Sequence, residues 1–280
     1  MVTNGSDEAL TLLCRATLDA ERSAAFPEVT YSLYKTLVTN AGASYTEVPV
    51  IPSDNQPYGV DVAALENSAA QVVFLANPNA ITGEYSPREK LKATLAQSHK
   101  LWIIDEAYND FAGHDATMLP FVPDLKNLVV TRTFSKTHAL AGLRVGYLAT
   151  SNHALLNGLM AHKDSYNEDA LATRLAKVAL NDTAWHQKTL DAVREGHAYL
   201  FNTLASMGFT PYTSSANFLL VKVPPPVSAE ALAQKLRDYK LLIRYYPNSK
   251  FSDCVRISVG AMEENQKLIA AIGSIYAHAQ

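Results

Sequence analysis

The chain has 280 residues, 48% of them hydrophobic and 18% charged, with a formal net charge of −3. That length buries a sizeable core and leaves room for two lobes, while so small a charge gives no argument for nucleic acid or an anionic membrane as partner. Two cysteines make no disulfide framework, and no apolar run approaches the ~20 residues of a membrane helix, so small-molecule chemistry in reduced cytoplasm is the expectation.

In chain order, helical spacing predicts a first helix over Glu8 to Leu18, with Cys14 in its apolar pattern. A second follows from roughly Thr30 to Asn40, with Leu33, Leu37 and Val38 on one face and Gly42 past its end. The apolar runs Val72 to Leu75, Leu101 to Ile104, Leu128 to Val130 and Val145 to Leu148 are too short for buried helices and predict central strands. Between the first two, Ser86 as N-cap, Pro87 at the first helical position and Glu89 predict a helix with Leu91 and Leu95 inward. Strand, helix, strand in this order implies parallel pairing.

Beyond Tyr147 the pattern is helical from about Asn152 to Met207, with Leu190, Val193, His197, Leu200 and Leu204 at helical spacing and Gly208 at the end. A strand over Asn217 to Val223, the break Pro224-Pro225-Pro226, a helix from Ser228, strands near Leu241 to Arg244 and Val255 to Ser258, and a helix with Leu268, Ile272 and Ile275 complete the chain. A large domain over 1–189 and a small one over 190–280, divided on the long helix, are expected.

The densest chemistry lies in Thr133-Phe134-Ser135-Lys136-Thr137-His138-Ala139-Leu140-Ala141-Gly142-Leu143-Arg144. A lysine between hydroxyls, followed by small residues and an arginine, can hold an aldehyde as a Schiff base beside a bound phosphate, which is the pattern of a pyridoxal phosphate site. That cofactor also needs a carboxylate at its pyridine nitrogen, and Asp105 ends an apolar strand where ligands bind in parallel sheets. Tyr108 can donate to the ring oxygen, and Tyr31 can lay an aromatic face on the ring. Gly5-Ser6-Asp7 ahead of the first helix, with Ser135 and Arg144, can cradle the phosphate. Each residue alone also fits a structural part: a solvated lysine, a capping aspartate, packed tyrosines, a simple N-cap.

Taken together, Asn4-Gly5-Ser6-Asp7-Glu8, Asn77-Pro78-Asn79-Ala80-Ile81-Thr82-Gly83, Asp105-Glu106-Ala107-Tyr108, Ser135-Lys136 with Ala139 to Arg144, and Val255-Arg256-Ile257-Ser258-Val259-Gly260 resemble class-II aminotransferases of fold type I, most nearly the histidinol-phosphate aminotransferases. The resemblance implies an α/β chain with a three-layer α/β/α large domain, a mainly parallel sheet and a smaller α/β domain. It implies pyridoxal 5′-phosphate as cofactor, amino acid and oxo acid substrates, a homodimer and no metal.

Residue by residue, it makes Lys136 the lysine that binds the cofactor and moves the substrate proton, Asp105 the partner of the ring nitrogen, and Tyr108 that of the ring oxygen. Tyr31 stacks on the ring; Gly5, Ser6, Asp7, Thr133, Ser135 and Arg144 surround the phosphate. Arg256 takes the substrate carboxylate, and Arg244 reads its distal anionic group. The family's usual Asn-Pro before Thr-Gly is Ala80-Ile81 here, which leaves Asn79, one position early, as the candidate amide. Glu168 and Asp169 replace a less acidic stretch and oppose a phosphate-bearing ligand if that loop faces the substrate. The family's N-terminal arm precedes the point where the resemblance starts, near residue 4. A decarboxylase of the threonine-phosphate type and a non-catalytic cofactor-binding homologue are the alternatives.

Overall fold

The computed structural model describes residues 1–53 and 56–278. Strand β1 (Val2–Asn4) runs into α1 (Gly5–Thr17), followed by β2 (Ala24–Pro27), α2 (Leu33–Asn40), β3 (Tyr45–Val48), α3 (Val62–Asn67) and β4 (Val72–Ala76). Then come α4 (Arg88–Leu95), β5 (Leu101–Asp105), the single-turn α5 (Asn109–Ala112), β6 (Leu128–Thr133) and β7 (Val145–Ala149). Three helices, α6 (His153–His162), α7 (Ala170–Asn181) and α8 (Thr183–Ser206), lead to β8 (Thr210–Pro211), β9 (Phe218–Lys222), α9 (Ala229–Leu236), β10 (Arg244–Tyr245), β11 (Cys254–Ser258) and α10 (Met262–Ala277).

Seven strands form one sheet in the order β1-β7-β6-β5-β4-β2-β3. Pairing is parallel from β3 through β6, and antiparallel where β7 joins β6 and where β1 joins β7. The period-2 alternation of strand side chains explains the layers. Val72, Phe74 and Ala76 of β4 face α1 and α2 in one apolar core, while Val73 and Leu75 face α3 and α4 in another. Both faces being covered, these strands carry unbroken apolar runs, and fully burying one such side chain is worth about 1.5–3 kcal/mol.

The second sheet, β10-β11-β9-β8, is antiparallel throughout. Leu219, Val221, Val255 and Ile257 pack there against Leu200 and Leu204 of α8, Leu232 and Leu236 of α9 and Ile272 of α10. Leu220 and Cys254, on the opposite face, meet Val29 and Phe251.

All four apolar runs predicted as strands are strands, each extended by at least one residue at its C-terminal end. Several local expectations change. Helix α1 begins at Gly5 rather than Glu8, because β1 delivers the chain directly to the helix. Helix α2 begins at Leu33 rather than Thr30, and its buried residues are Tyr34 and Val38. Ser86 does not cap α4: the helix starts at Arg88 behind Pro87, while the Asn77 amide brackets the Ser86 backbone at 2.8 and 2.9 Å. Leu91 and Leu95 are buried as expected. The apolar run Leu241-Leu242-Ile243 is not a strand; pairing is confined to Arg244 and Tyr245. The helical stretch after Tyr147 is three helices, and Gly208 closes the last with φ +85°.

Candidate active site

The C-terminal ends of β4, β5 and β6 open onto the start of α1, and between them lies a cavity of about 190 Å³. Asp105, the last residue of β5, forms its floor and is buried. Its Oδ2 accepts a hydrogen bond from Tyr34 Oη at 2.9 Å; its Oδ1 accepts from Thr131 Oγ1 and from the Ala107 amide, both at 3.2 Å. No cation pairs with it among the described residues. Burial pushes its pKa up, and the bonds from Tyr34, Thr131 and Ala107 oppose that rise. A carboxylate so placed favours a cationic N–H in front of it.

Lys136 lies on the turn that follows β6, with Nζ 5.1 Å from the Tyr108 ring centroid. Tyr108 is held edge-on against Phe218 of β9, centroids 5.2 Å apart. Tyr31 closes another wall; its hydroxyl donates to Asp7 Oδ1 at 3.2 Å, and its ring meets Tyr34 edge-on at 5.7 Å.

At one end the first turn of α1 presents Ser6 and Asp7 beside Thr133, Ser135 and Arg144. Arg144 Nη2 lies 3.3 Å from Asp7 Oδ2, and Nη1 reaches Ser135 Oγ at 3.5 Å and the Ala141 carbonyl at 3.2 Å. Thr133 Oγ1 donates to Ser135 Oγ at 2.9 Å. Gly5 has φ +72°, and a Cβ on it would stand 2.6 Å from Arg144 Nη2. A Cβ on Gly146 of β7 would stand 2.6 Å from the Ser6 nitrogen, so both glycines let backbone, helix start and guanidinium converge. Helix-start N–H groups, hydroxyls and an arginine at one point make an anion cradle.

At the rim, Arg256 of β11 donates from Nη1 to the Ala80 carbonyl at 2.6 Å and sits 4.5 Å from the Phe218 ring centroid. Its Nε is buried and has no hydrogen-bond partner. Arg244 is its partner across the β10–β11 pair, exposed, with its guanidinium 5.5 Å from the Tyr246 ring.

Nine of the predicted residues therefore line one cavity: Ser6, Asp7, Tyr31, Asp105, Tyr108, Thr133, Ser135, Lys136 and Arg144. Gly5 lies directly behind Arg144, Arg256 adjoins the cavity wall at Ala80, and Arg244 stands outside the cavity. Asn79 is a correction. Its amide is engaged by backbone groups, donating to the Val29 carbonyl at 2.8 Å and accepting from the Ile81 and Thr82 amides of its own loop at 2.8 and 3.1 Å. Ala80 lines the cavity in its place and brings no polar side-chain atom.

The acidic loop is also resolved: neither Glu168 nor Asp169 lines the cavity, and Asp169 caps α7 by accepting from the Ala172 amide. Tyr34 and Thr131, the partners of Asp105, and Tyr246 beside Arg244 escaped the sequence reading. Tyr34 carries a signal in being a polar-tipped ring three residues after Tyr31, whereas Thr131 reads as an ordinary strand residue.

A cavity that sets a lysine, an unneutralised buried aspartate and an anion cradle around one space fits pyridoxal phosphate, and the three-layer architecture around it is that of fold type I pyridoxal-phosphate enzymes. Residues 1–272 match the family Aminotransferase class I and II. Histidinol-phosphate aminotransferase 1 of Nostoc sp. is 39% identical over 272 residues, 97% of this chain and 75% of that protein. Among solved structures, histidinol-phosphate aminotransferase from Sinorhizobium meliloti in complex with pyridoxal-5′-phosphate has a TM-score of 0.90 at 24% identity, over 100% of this chain and 77% of that one. L-threonine-O-3-phosphate decarboxylase from Porphyromonas gingivalis has a TM-score of 0.85 at 21% identity, over 99% of this chain and 83% of that one. The chain belongs to the class I and II aminotransferases.

Proposed function

We propose that this pyridoxal-phosphate-dependent aminotransferase moves an amino group between an amino acid donor and an oxo acid or oxo phosphate, with histidinol phosphate as the leading amino substrate. The observation that carries this reading is Lys136 and Asp105 on one cavity with the Arg144 cradle at its end. The name and identity of the Nostoc protein support the choice of substrate, and a cavity clear of Glu168 and Asp169 is compatible with a phosphate-bearing ligand.

When bound, the cofactor supplies an electron sink for the bonds at the substrate Cα. Asp105 holds a proton on the pyridine nitrogen, and Tyr34 and Thr131 orient its carboxylate. Lys136 would hold the cofactor through Nζ, and the same Nζ is the base that would carry the substrate Cα proton. Tyr108 would donate to the ring oxygen without help from an amide at position 80, and Tyr31 would flank the ring. Gly5, Ser6, Asp7, Thr133, Ser135 and Arg144 would hold the phosphate. Arg256 turns its unpartnered Nε and its Nη edge to the substrate carboxylate, and Arg244 meets the distal anionic group.

In the same reading, residues 1–189 and 190–280 are the two domains, since Leu200 and Leu204 of α8 already pack in the C-terminal core. A cytoplasmic homodimer completes it; no described helix is long and apolar enough to cross a membrane.

The similarity to the Porphyromonas decarboxylase supports a second reading, loss of the carboxylate from the same Cα. Absorbance of the cofactor-loaded chain, followed with glutamate, histidinol phosphate and other amino acids, separates them. Loss of the lysine-bound cofactor band with amino-group transfer and no carbon dioxide is the expected result. Carbon dioxide release would favour the decarboxylase, and a band unchanged by every amino acid would favour a non-catalytic homologue. Lys136→Ala is expected to remove the band and lower amino transfer by about 10²–10⁴-fold; an unaltered spectrum would remove Lys136 from its role.

A further inference from the structure

We infer that Asp110, His138 and His186 form a binding site for a divalent transition metal, zinc or a metal of similar ligand preference, behind the turn that carries Lys136. Asp110 comes from α5, His138 from the turn after β6 and His186 from the first turn of α8, and one ligand atom from each lies within 4.8 Å of the other two. Asp110 Oδ2 and His186 Nε2 are 3.7 Å apart, and the two imidazoles face each other with centroids 4.7 Å apart and planes inclined by 30°. They border a cavity of about 220 Å³, separate from the cofactor cavity and walled also by Phe134, Tyr147 and Leu180.

A second observation concerns hydrogen bonding. His138 Nδ1 and His186 Nε2 are both buried and without a hydrogen-bond partner. Buried polar nitrogens are normally satisfied, and two facing orphans that share a carboxylate ask for a common acceptor of lone pairs. Two neutral imidazoles and one carboxylate, with open volume beside them, are a three-ligand set with a free coordination position. Bonds of about 2.0–2.2 Å require the donors, now within 4.8 Å of one another, to close to roughly 3.3 Å on binding.

The neighbouring charges allow a dication. Arg132 lies close, but it pairs with both Glu106 and Asp110, so the group carries one guanidinium against two carboxylates. Thr137 Oγ1 donates to Asp110 Oδ2 at 2.7 Å and orients it, as outer partners of metal ligands do. Because His138 and Thr137 adjoin Lys136, a metal bound there ties the lysine's turn to α8.

The test is a titration of tag-free, cofactor-loaded protein with cobalt(II), followed by the visible d–d absorption of a low-coordinate cobalt site. One cobalt per chain, displaced by zinc, is expected. His138→Ala and His186→Gln are each expected to weaken binding by roughly 10–100-fold or more, at least the effect of losing an outer partner. His99→Ala and His162→Ala, at exposed histidines, are expected to leave it unchanged. His186 lies in a first helical turn with its side chain 29% exposed, so its variant retains the fold and decides the matter if His138→Ala does not. No d–d band in the wild type, or equal bands in wild type and His186→Gln, overturns the proposal.

Discussion

The cofactor end of the cavity and its substrate rim are built on different sheets and to different tolerances. Asp105, Thr133 and the turn with Lys136 hang from strands in the middle of a seven-stranded sheet covered on both faces, and Asp105, Thr133 and Ser135 have hydrogen-bond partners before any ligand binds. Arg256 and Arg244 sit on a four-stranded sheet whose outer strand is two residues long, and Arg256 keeps one donor free. The difference teaches that the strand-end pocket is pre-organised around Asp105 and Thr133, while the rim is left with unmet hydrogen-bonding capacity.

The largest expected effect breaks the cofactor end. Asp105→Asn removes the charge that holds the ring proton, so single-turnover amino transfer is expected to fall by about 10²–10⁴-fold with the cofactor band still present. Retention of full rate would mean that the buried carboxylate is merely structural. Arg256→Ala comes next and tests the rim. Loss of charged hydrogen bonds worth about 1.5–3 kcal/mol is expected to raise KM for the amino acid by roughly 10–150-fold with cofactor binding unchanged. A matching loss of cofactor would show the two regions to be one unit.

A smaller effect follows at Tyr34→Phe, which deletes one bond to Asp105 and leaves the ring in the core. Because Thr131 and the Ala107 amide still hold Asp105, the low end of the range for a bond to a charged group, about 1.5 kcal/mol, applies and translates into a roughly tenfold slower proton transfer, read by stopped-flow absorbance, with KM unchanged. An effect on KM alone would place Tyr34 with the rim instead.

The smallest effect lies outside both regions. Burial, and then the Glu8 carboxylate, push Glu168 up to about 7, against the pull of Lys163. The folded chain therefore binds more protons than the unfolded chain between the ordinary glutamate value and about 7. Glu168's contribution to stability is present at low pH and is lost as pH rises through that window. Glu168→Gln is thus expected to raise Tm above the window and not below it, by melting curves across pH. A rise of equal size at all pH values would assign the effect to packing.

Much of the cofactor end was legible because its residues are tied to local patterns. An apolar run ending in aspartate, a Gly-Ser-Asp ahead of a helix and a lysine among hydroxyls each announce their chemistry at short range. What escaped depends on contacts distant along the chain. Tyr34 reaches Asp105 across 71 residues, and Gly146 matters only because α1 starts against it. Asn79 misled for the same reason: an amide next to the expected position says nothing about which backbone groups it will meet, and here they are those of its own loop and Val29. The strands β1, β2 and β3 were missed because they are short and lie toward the sheet's edges, where alternation over three or four residues leaves little signal.

By itself, then, the sequence determined the central parallel strands, the helices that cover them and the identity of most residues that line the cavity, since these follow from periodicity and from side-chain types repeated in order. Only the tertiary structure decided which of them share a cavity, that Asp105 is buried without a cation, that Glu168 and Asp169 do not line that cavity, and that two histidines meet an aspartate behind Lys136. Those outcomes depend on which strand ends and helix starts the packing brings within a few ångströms of each other, and no local pattern encodes that distance.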